Sequence, residues 1–96
     1  MTFVVAEIGI NWDGNLNLAK KMIKKAKQVG CDAVKFQAFN LYIVKEHPQS
    51  ERLLKSSISR DNIKKITSFA KEEDIEWFCT PMFVNAIEIL EPFVKR

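Results

Sequence analysis

Three times in 96 residues a short apolar run gives way to a turn signal and then to apolar residues at helical spacing. Residues 3–10 form the first run, interrupted only by Glu7 and Gly9, as in a strand buried on both faces of a parallel sheet. Asn11, Trp12, Asp13, Gly14 and Asn15 follow, with an Asp-Gly turn and an asparagine fit to cap a helix. Ala19, Met22, Ile23 and Ala26 then recur on one helical face up to a glycine stop at Gly30. Residues 32–39 read as a second strand, and Ile63, Ile66 and Ala70 as a second helix started by Ser59 and acidic Asp61. Residues 75–80 give a third strand, and Val84, Ile87 and Leu90 or Glu91 mark a third helix ending at Pro92.

The order β-α-β-α-β-α constrains the fold class. Parallel strands cannot be joined by tight hairpins and need crossovers, and those crossovers are right-handed. The chain is therefore expected to be α/β, with strands in the order 1-2-3 and helices on one face. The arrangement fits the first three βα units of a (β/α)₈ barrel. Such a barrel takes around 250 residues, so residues 1–96 are expected to be the N-terminal fragment of a single barrel domain. A self-contained three-layer α/β domain is the rival architecture. The longest connection, residues 40–58, leaves the carboxyl end of strand two, where α/β folds place their sites.

Composition narrows the function classes. With 47% hydrophobic and 28% charged residues the chain is ordinary globular material. No stretch reaches the roughly 18 apolar residues of a membrane helix, and the start lacks the basic region of a signal peptide, which makes the cytoplasm the default location. The net charge of +3 is concentrated in Lys20, Lys21, Lys24, Lys25 and Lys27. No aromatic residues interleave with these lysines to stack bases, so they read as a solvated helix face and not a nucleic-acid surface. Cys31 and Cys79 fall at or inside strands without a second Cys or His at metal-ligand spacing, and read as reduced core residues.

The polar residues inside the strands carry the functional signal. Side chains alternate between faces, so Val5, Glu7 and Gly9 oppose Val4, Ala6 and Ile8, while Ala33, Lys35 and Gln37 oppose Val34 and Phe36. Helices pack on the apolar face. Glu7, Lys35, Gln37 and Thr80 are then expected to point the other way, into the barrel, at the carboxyl ends of three adjacent strands. An ammonium beside hydroxyl and amide donors suits a carboxylate or phosphate, and a nearby carboxylate can move a proton. The competing account is a Glu7–Lys35 ion pair that only pins register. Trp12 serves loop packing or a substrate platform. Met82 and Phe83 serve helix packing or a pocket wall. His47, the sole histidine, reads as a surface residue.

The segments Ala6-Glu7-Ile8-Gly9-Ile10-Asn11 leading to Gly14, Ala33-Val34-Lys35-Phe36-Gln37 and Cys79-Thr80-Pro81 occur in this order. Together they resemble the N-acetylneuraminate (sialic acid) synthase family, which includes legionaminate and pseudaminate synthases. The resemblance implies a TIM barrel that condenses phosphoenolpyruvate with an N-acylated hexosamine, such as N-acetylmannosamine, to a nine-carbon 2-keto acid with release of phosphate. It implies that Lys35 and Thr80 contact phosphoenolpyruvate, that Gln37 and Met82 contact the hexosamine, and that Glu7 and Lys35 act in catalysis. It further implies a divalent metal, Mn²⁺ or Mg²⁺, whose ligands lie outside this chain, and a homodimer for the whole enzyme. Two positions depart from the family pattern: Trp12 stands where histidine is usual, and Met82 where phenylalanine is common. Two other readings stay open, another phosphoenolpyruvate-condensing sugar-acid phosphate synthase and a non-catalytic relative serving as a binding or assembly module.

Overall fold

In the computed structural model, which describes residues 2–39, 44–81 and 89–93, the elements follow one another as β1 (Val5–Gly9), α1 (Leu16–Gln28), β2 (Ala33–Ala38), α2 (Ser50–Lys55), α3 (Ile63–Glu72) and β3 (Glu76–Pro81). The three strands form one parallel sheet in the order β1-β2-β3. This is the expected α/β architecture, an arc of consecutive βα units of the (β/α)₈ type. Most of the third helix expected from sequence, with Met82 and Phe83, lies outside the described residues. Leu90, at its described end, is helical and buried.

Local chemistry accounts for the element ends. The Asn15 side chain accepts the Leu18 N–H at 3.1 Å and so caps α1 as its sequence suggests. At the other end the N–H groups of Gly30 and Cys31 donate to the carbonyls of Lys27 and Ala26, the paired bonds of a Schellman stop. α3 ends in the same way, with Asp74 and Ile75 donating to Lys71 and Ala70, but the left-handed position is held by Asp74 at φ +51°. Lys27 Nζ donates to the Asp74 carbonyl at 3.0 Å, which ties the two helix ends together.

The structure departs from the sequence expectation at β1, at the start of α3 and in the long connection. β1 is shorter than residues 3–10, and Val4, expected under the helices, is 45% exposed. Its backbone is instead held by Asp32, whose carboxylate accepts the Val4 N–H at 2.7 Å while the Val4 carbonyl accepts the Asp32 N–H. α3 starts at Ile63 after Asn62, so Ser59 and Asp61 lie in the preceding turn; the Asn62 side chain accepts the Ser59 N–H and donates to the Ser57 carbonyl. The connection over residues 40–58 also contains a helix, α2, that periodicity did not reveal.

The core lies between sheet and helices. Ile8, Val34, Phe36, Ala38, Trp77 and Cys79 from the strands meet Ala19, Ile23 and Ala26 of α1 and Ile63, Ile66 and Ala70 of α3. Phe36 is its centre, with Trp12 and Trp77 edge-on to its ring at 5.8 and 6.1 Å. The α1 lysines are exposed on the far side, where Lys20 sits over the Phe69 ring and 4.0 Å from Glu72. Both cysteines are free, Cys79 buried and Cys31 only partly so. No helix among the described residues is long and apolar enough to cross a membrane.

Candidate active site

Strand parity places the polar residues. β1 pairs Val5 with Ala33 and Glu7 with Lys35, and β2 pairs Lys35 with Phe78 and Gln37 with Thr80. On β2, Val34, Phe36 and Ala38 are buried beneath the helices, while Lys35 and Gln37 on the opposite face are only partly buried. Glu7, Lys35 and Phe78 therefore form one row across the sheet, with Gln37 and Thr80 a step nearer the carboxyl ends.

Glu7 Oε2 stands 3.6 Å from Lys35 Nζ, with the Glu7 side chain 50% and the Lys35 side chain 31% exposed. An exposed pair of this kind contributes about 0–1 kcal/mol. A one-residue slip of β2 would carry Lys35 and Gln37 into the apolar core, where each unpaired polar group costs several kcal/mol. Register is thus held by the alternation of the whole strand, and the ion pair is not needed to pin it. Charge still radiates from this point into the sheet. Burial pushes the Cys79 thiol up to about 12, with Lys35 opposing that rise and Glu7 adding to it.

The strand ends above the site are braced by the connection that follows β2. The Ile58 N–H donates to the Gln37 carbonyl, and the Ser57 hydroxyl accepts from the Phe39 N–H and donates to the Phe39 carbonyl. α2 folds back over the β1–α1 loop. Arg52 Nε donates to Asp13 Oδ1 at 2.6 Å, Trp12 Nε1 donates to the Ser56 carbonyl at 3.0 Å, and Gly14 lies so close to Lys55 that a Cβ there would stand 2.5 Å from the Lys55 carbonyl oxygen.

Trp12, open between packing and a substrate platform in the sequence, is 1% exposed and packs against Phe36 on the helix side. His47 is exposed, with Nδ1 accepting the Gln49 N–H. Among the described residues no three of His, Cys, Asp and Glu come together as metal ligands, so those residues do not by themselves fit a divalent cation. Met82 lies outside the described residues. The structure adds one residue to the site, Gly9, which strand parity put on the Glu7 face without giving it a role. β1 advances two residues, from Glu7 to Gly9, while β2 advances one, and Gly9 has φ +55°. A glycine two residues after Glu7, near the strand end, was the available sequence signal.

With this geometry established, comparison with known proteins gives a consistent result. Residues 22–95 match the model of the NeuB family. The chain is 32% identical over 112 aligned positions to the N-acetylneuraminate-9-phosphate synthase of Mus musculus, covering 97% of this chain and 31% of that protein. It is 30% identical over 105 positions to the N,N'-diacetyllegionaminic acid synthase of Campylobacter jejuni, covering 93% and 31%. Among solved structures, the N-acetylneuraminic acid (sialic acid) synthetase of Leptospira borgpetersenii, in complex with citrate, superposes with a TM-score of 0.80 at 27% identity, over 95% of this chain and 33% of that one. The chain spans about a third of the length of these relatives.

Proposed function

The chain belongs to the NeuB family, and from that premise we propose that it supplies the phosphoenolpyruvate-binding strands of a sialic-acid-synthase-type transferase. The reaction joins the methylene carbon of phosphoenolpyruvate to the aldehyde carbon of an N-acylated hexosamine, such as N-acetylmannosamine. Water is consumed, phosphate leaves, and a nine-carbon 2-keto acid results.

The observation that carries this reading is the row across the sheet, an ammonium held beside a carboxylate and one step from an amide and a hydroxyl, on the face away from the helices. Lys35 and Thr80 would grip the anionic groups of phosphoenolpyruvate, because a fixed cation with a neighbouring hydroxyl gives charge-assisted hydrogen bonds where the phosphate charge accumulates. Gln37, beside Thr80, would take the hexosamine together with Met82. Glu7, within reach of Lys35, would hold a proton next to the reacting carbons and keep the ammonium aimed inward. The divalent metal of this chemistry, Mn²⁺ or Mg²⁺, would draw its ligands from elsewhere in the protein, and no role here depends on it. A homodimer in the cytoplasm is the setting proposed for the whole protein.

The test is phosphate release from phosphoenolpyruvate, with and without N-acetylmannosamine and with Mn²⁺ present, by a protein of the relatives' length carrying this chain. Hexosamine-dependent release that Lys35→Ala removes is the expected outcome. Release independent of the hexosamine, or unchanged in Lys35→Ala, would overturn the proposal.

A further inference from the structure

From the geometry around the end of β1 we infer that Gly9 is a positioning residue, whose missing side chain and left-handed backbone hold the Glu7 carboxylate between Lys35 and Gln37. The inference deepens the proposed reading and rests on it for its functional meaning, but its geometric content stands apart.

A regular parallel pairing would continue Glu7↔Lys35 with Ile8↔Phe36, yet Phe36 is paired with Gly9. One extra residue, Ile8, is therefore inserted in β1, with its side chain 3% exposed in the core. Such bulges bend a strand and re-aim the neighbouring side chains, and a glycine at positive φ is a common way to make one. A Cβ built on Gly9 would lie 3.3 Å from Glu7 Oε1 and 3.9 Å from Gln37 Cδ and Oε1. The Glu7 carboxylate thus lies over the bare backbone of Gly9, with its other oxygen 3.6 Å from Lys35 Nζ and the Gln37 amide beyond. A side chain at residue 9 would displace the carboxylate from this shelf by a few tenths of an ångström and so disturb its distance to the ammonium.

Two replacements separate space from backbone strain. Gly9→Ala adds a Cβ at a φ that alanine adopts poorly, whereas Gly9→Asn adds the same Cβ but tolerates the left-handed region. The readout is the ¹⁵N signal of the Lys35 ammonium in the 96-residue chain, recorded with Glu7 intact and with Glu7→Gln. With glycine at residue 9, removing the Glu7 charge should shift that signal. With Gly9→Asn the shift should be smaller, while the amide signals of residues 33–38 stay in place. In a protein of the relatives' length, Gly9→Asn should lower kcat roughly tenfold, as expected for a misplaced proton-handling group, with KM for phosphoenolpyruvate within about twofold.

A Gly9→Asn chain that keeps the full Glu7-dependent shift would overturn the inference, and so would one that no longer folds, since the space would then serve the strand and not the carboxylate. If the ammonium signal behaves as expected but phosphoenolpyruvate is not a substrate, the proposed function fails while the positioning stands.

Discussion

Lys35 and Phe36 are adjacent in the chain and end on opposite sides of the sheet, one beside a carboxylate and the other at the centre of three aromatic rings packed edge to face. Parity alone made this division legible, which is why Glu7, Lys35, Gln37 and Thr80 could be named before any coordinates. The bulge at Ile8 was marked only by Gly9 inside the strand run, a signal too weak to give the pairing of Gly9 with Phe36. The role of Trp12 was also hidden, since its partners Phe36 and the Ser56 carbonyl lie 24 and 44 positions away. A loop tryptophan suggests a small contribution, but one buried to 1% should behave as core: Trp12→Ala should cost about 3–5 kcal/mol. Trp12→Phe keeps the ring but leaves the Ser56 carbonyl without its donor, and should cost about 1–3 kcal/mol. Urea melts of both variants check the order, and an alanine variant as stable as wild type would return Trp12 to the surface. Cys79 offers a second check. With its thiol raised to about 12 by burial, it should alkylate far more slowly at pH 8 than the partly exposed Cys31. Because the folded value lies above the ordinary 9.0, the unfolded chain releases this proton first, so the Cys79 contribution to stability is complete below pH 9 and falls as pH rises from 9 towards 12. Denaturant melts of wild type and Cys79→Ala across that range should converge as the pH rises.

At the scale of elements, the strands and the two longer helices followed from periodicity, because α1 and α3 each present a stripe of buried residues at helical spacing, while the cap was legible for α1 at Asn15 and not for α3. α2 escaped notice because its six residues bury only Leu53, too little for a periodic pattern. Its position is set by contacts across the chain, Arg52 to Asp13 and Lys55 against Gly14. The end of α3 carries a correctable cost. Asp74 occupies a left-handed position that costs an L-residue about 1–2 kcal/mol, while glycine there would give back about 0.4–1 kcal/mol through the freer unfolded chain. Lys27 bonds the Asp74 backbone and not its side chain, so Asp74→Gly keeps that contact. A net gain of about 0.5 kcal/mol should raise the melting temperature by about 2–4 °C. A fall in melting temperature would mean that the Asp74 carboxylate serves the cap.

For the whole molecule, the three-stranded sheet leaves an outer edge on β1 and on β3 among the described residues, and the chain spans about a third of its relatives' length. Both facts agree with an arc of a larger barrel, the class that alternating strands and helices announced. The long-range braces over the site were beyond sequence reading, since Ile58 on Gln37 and Ser57 on Phe39 join segments about 20 positions apart. With a third of the relatives' length, the 96 residues alone should release no phosphate from phosphoenolpyruvate and N-acetylmannosamine. The central claim is that the open face of the sheet binds an anion through Lys35, and equilibrium binding tests it without chemistry. Titrating phosphoenolpyruvate by calorimetry into a protein of the relatives' length, wild type against Lys35→Met, should show affinity weakened roughly 10- to 150-fold, the equivalent of about 1.5–3 kcal/mol for a charge-assisted contact. Equal affinity in a folded Lys35→Met protein would contradict the account, leaving Lys35 as a partly exposed partner of Glu7 and no more.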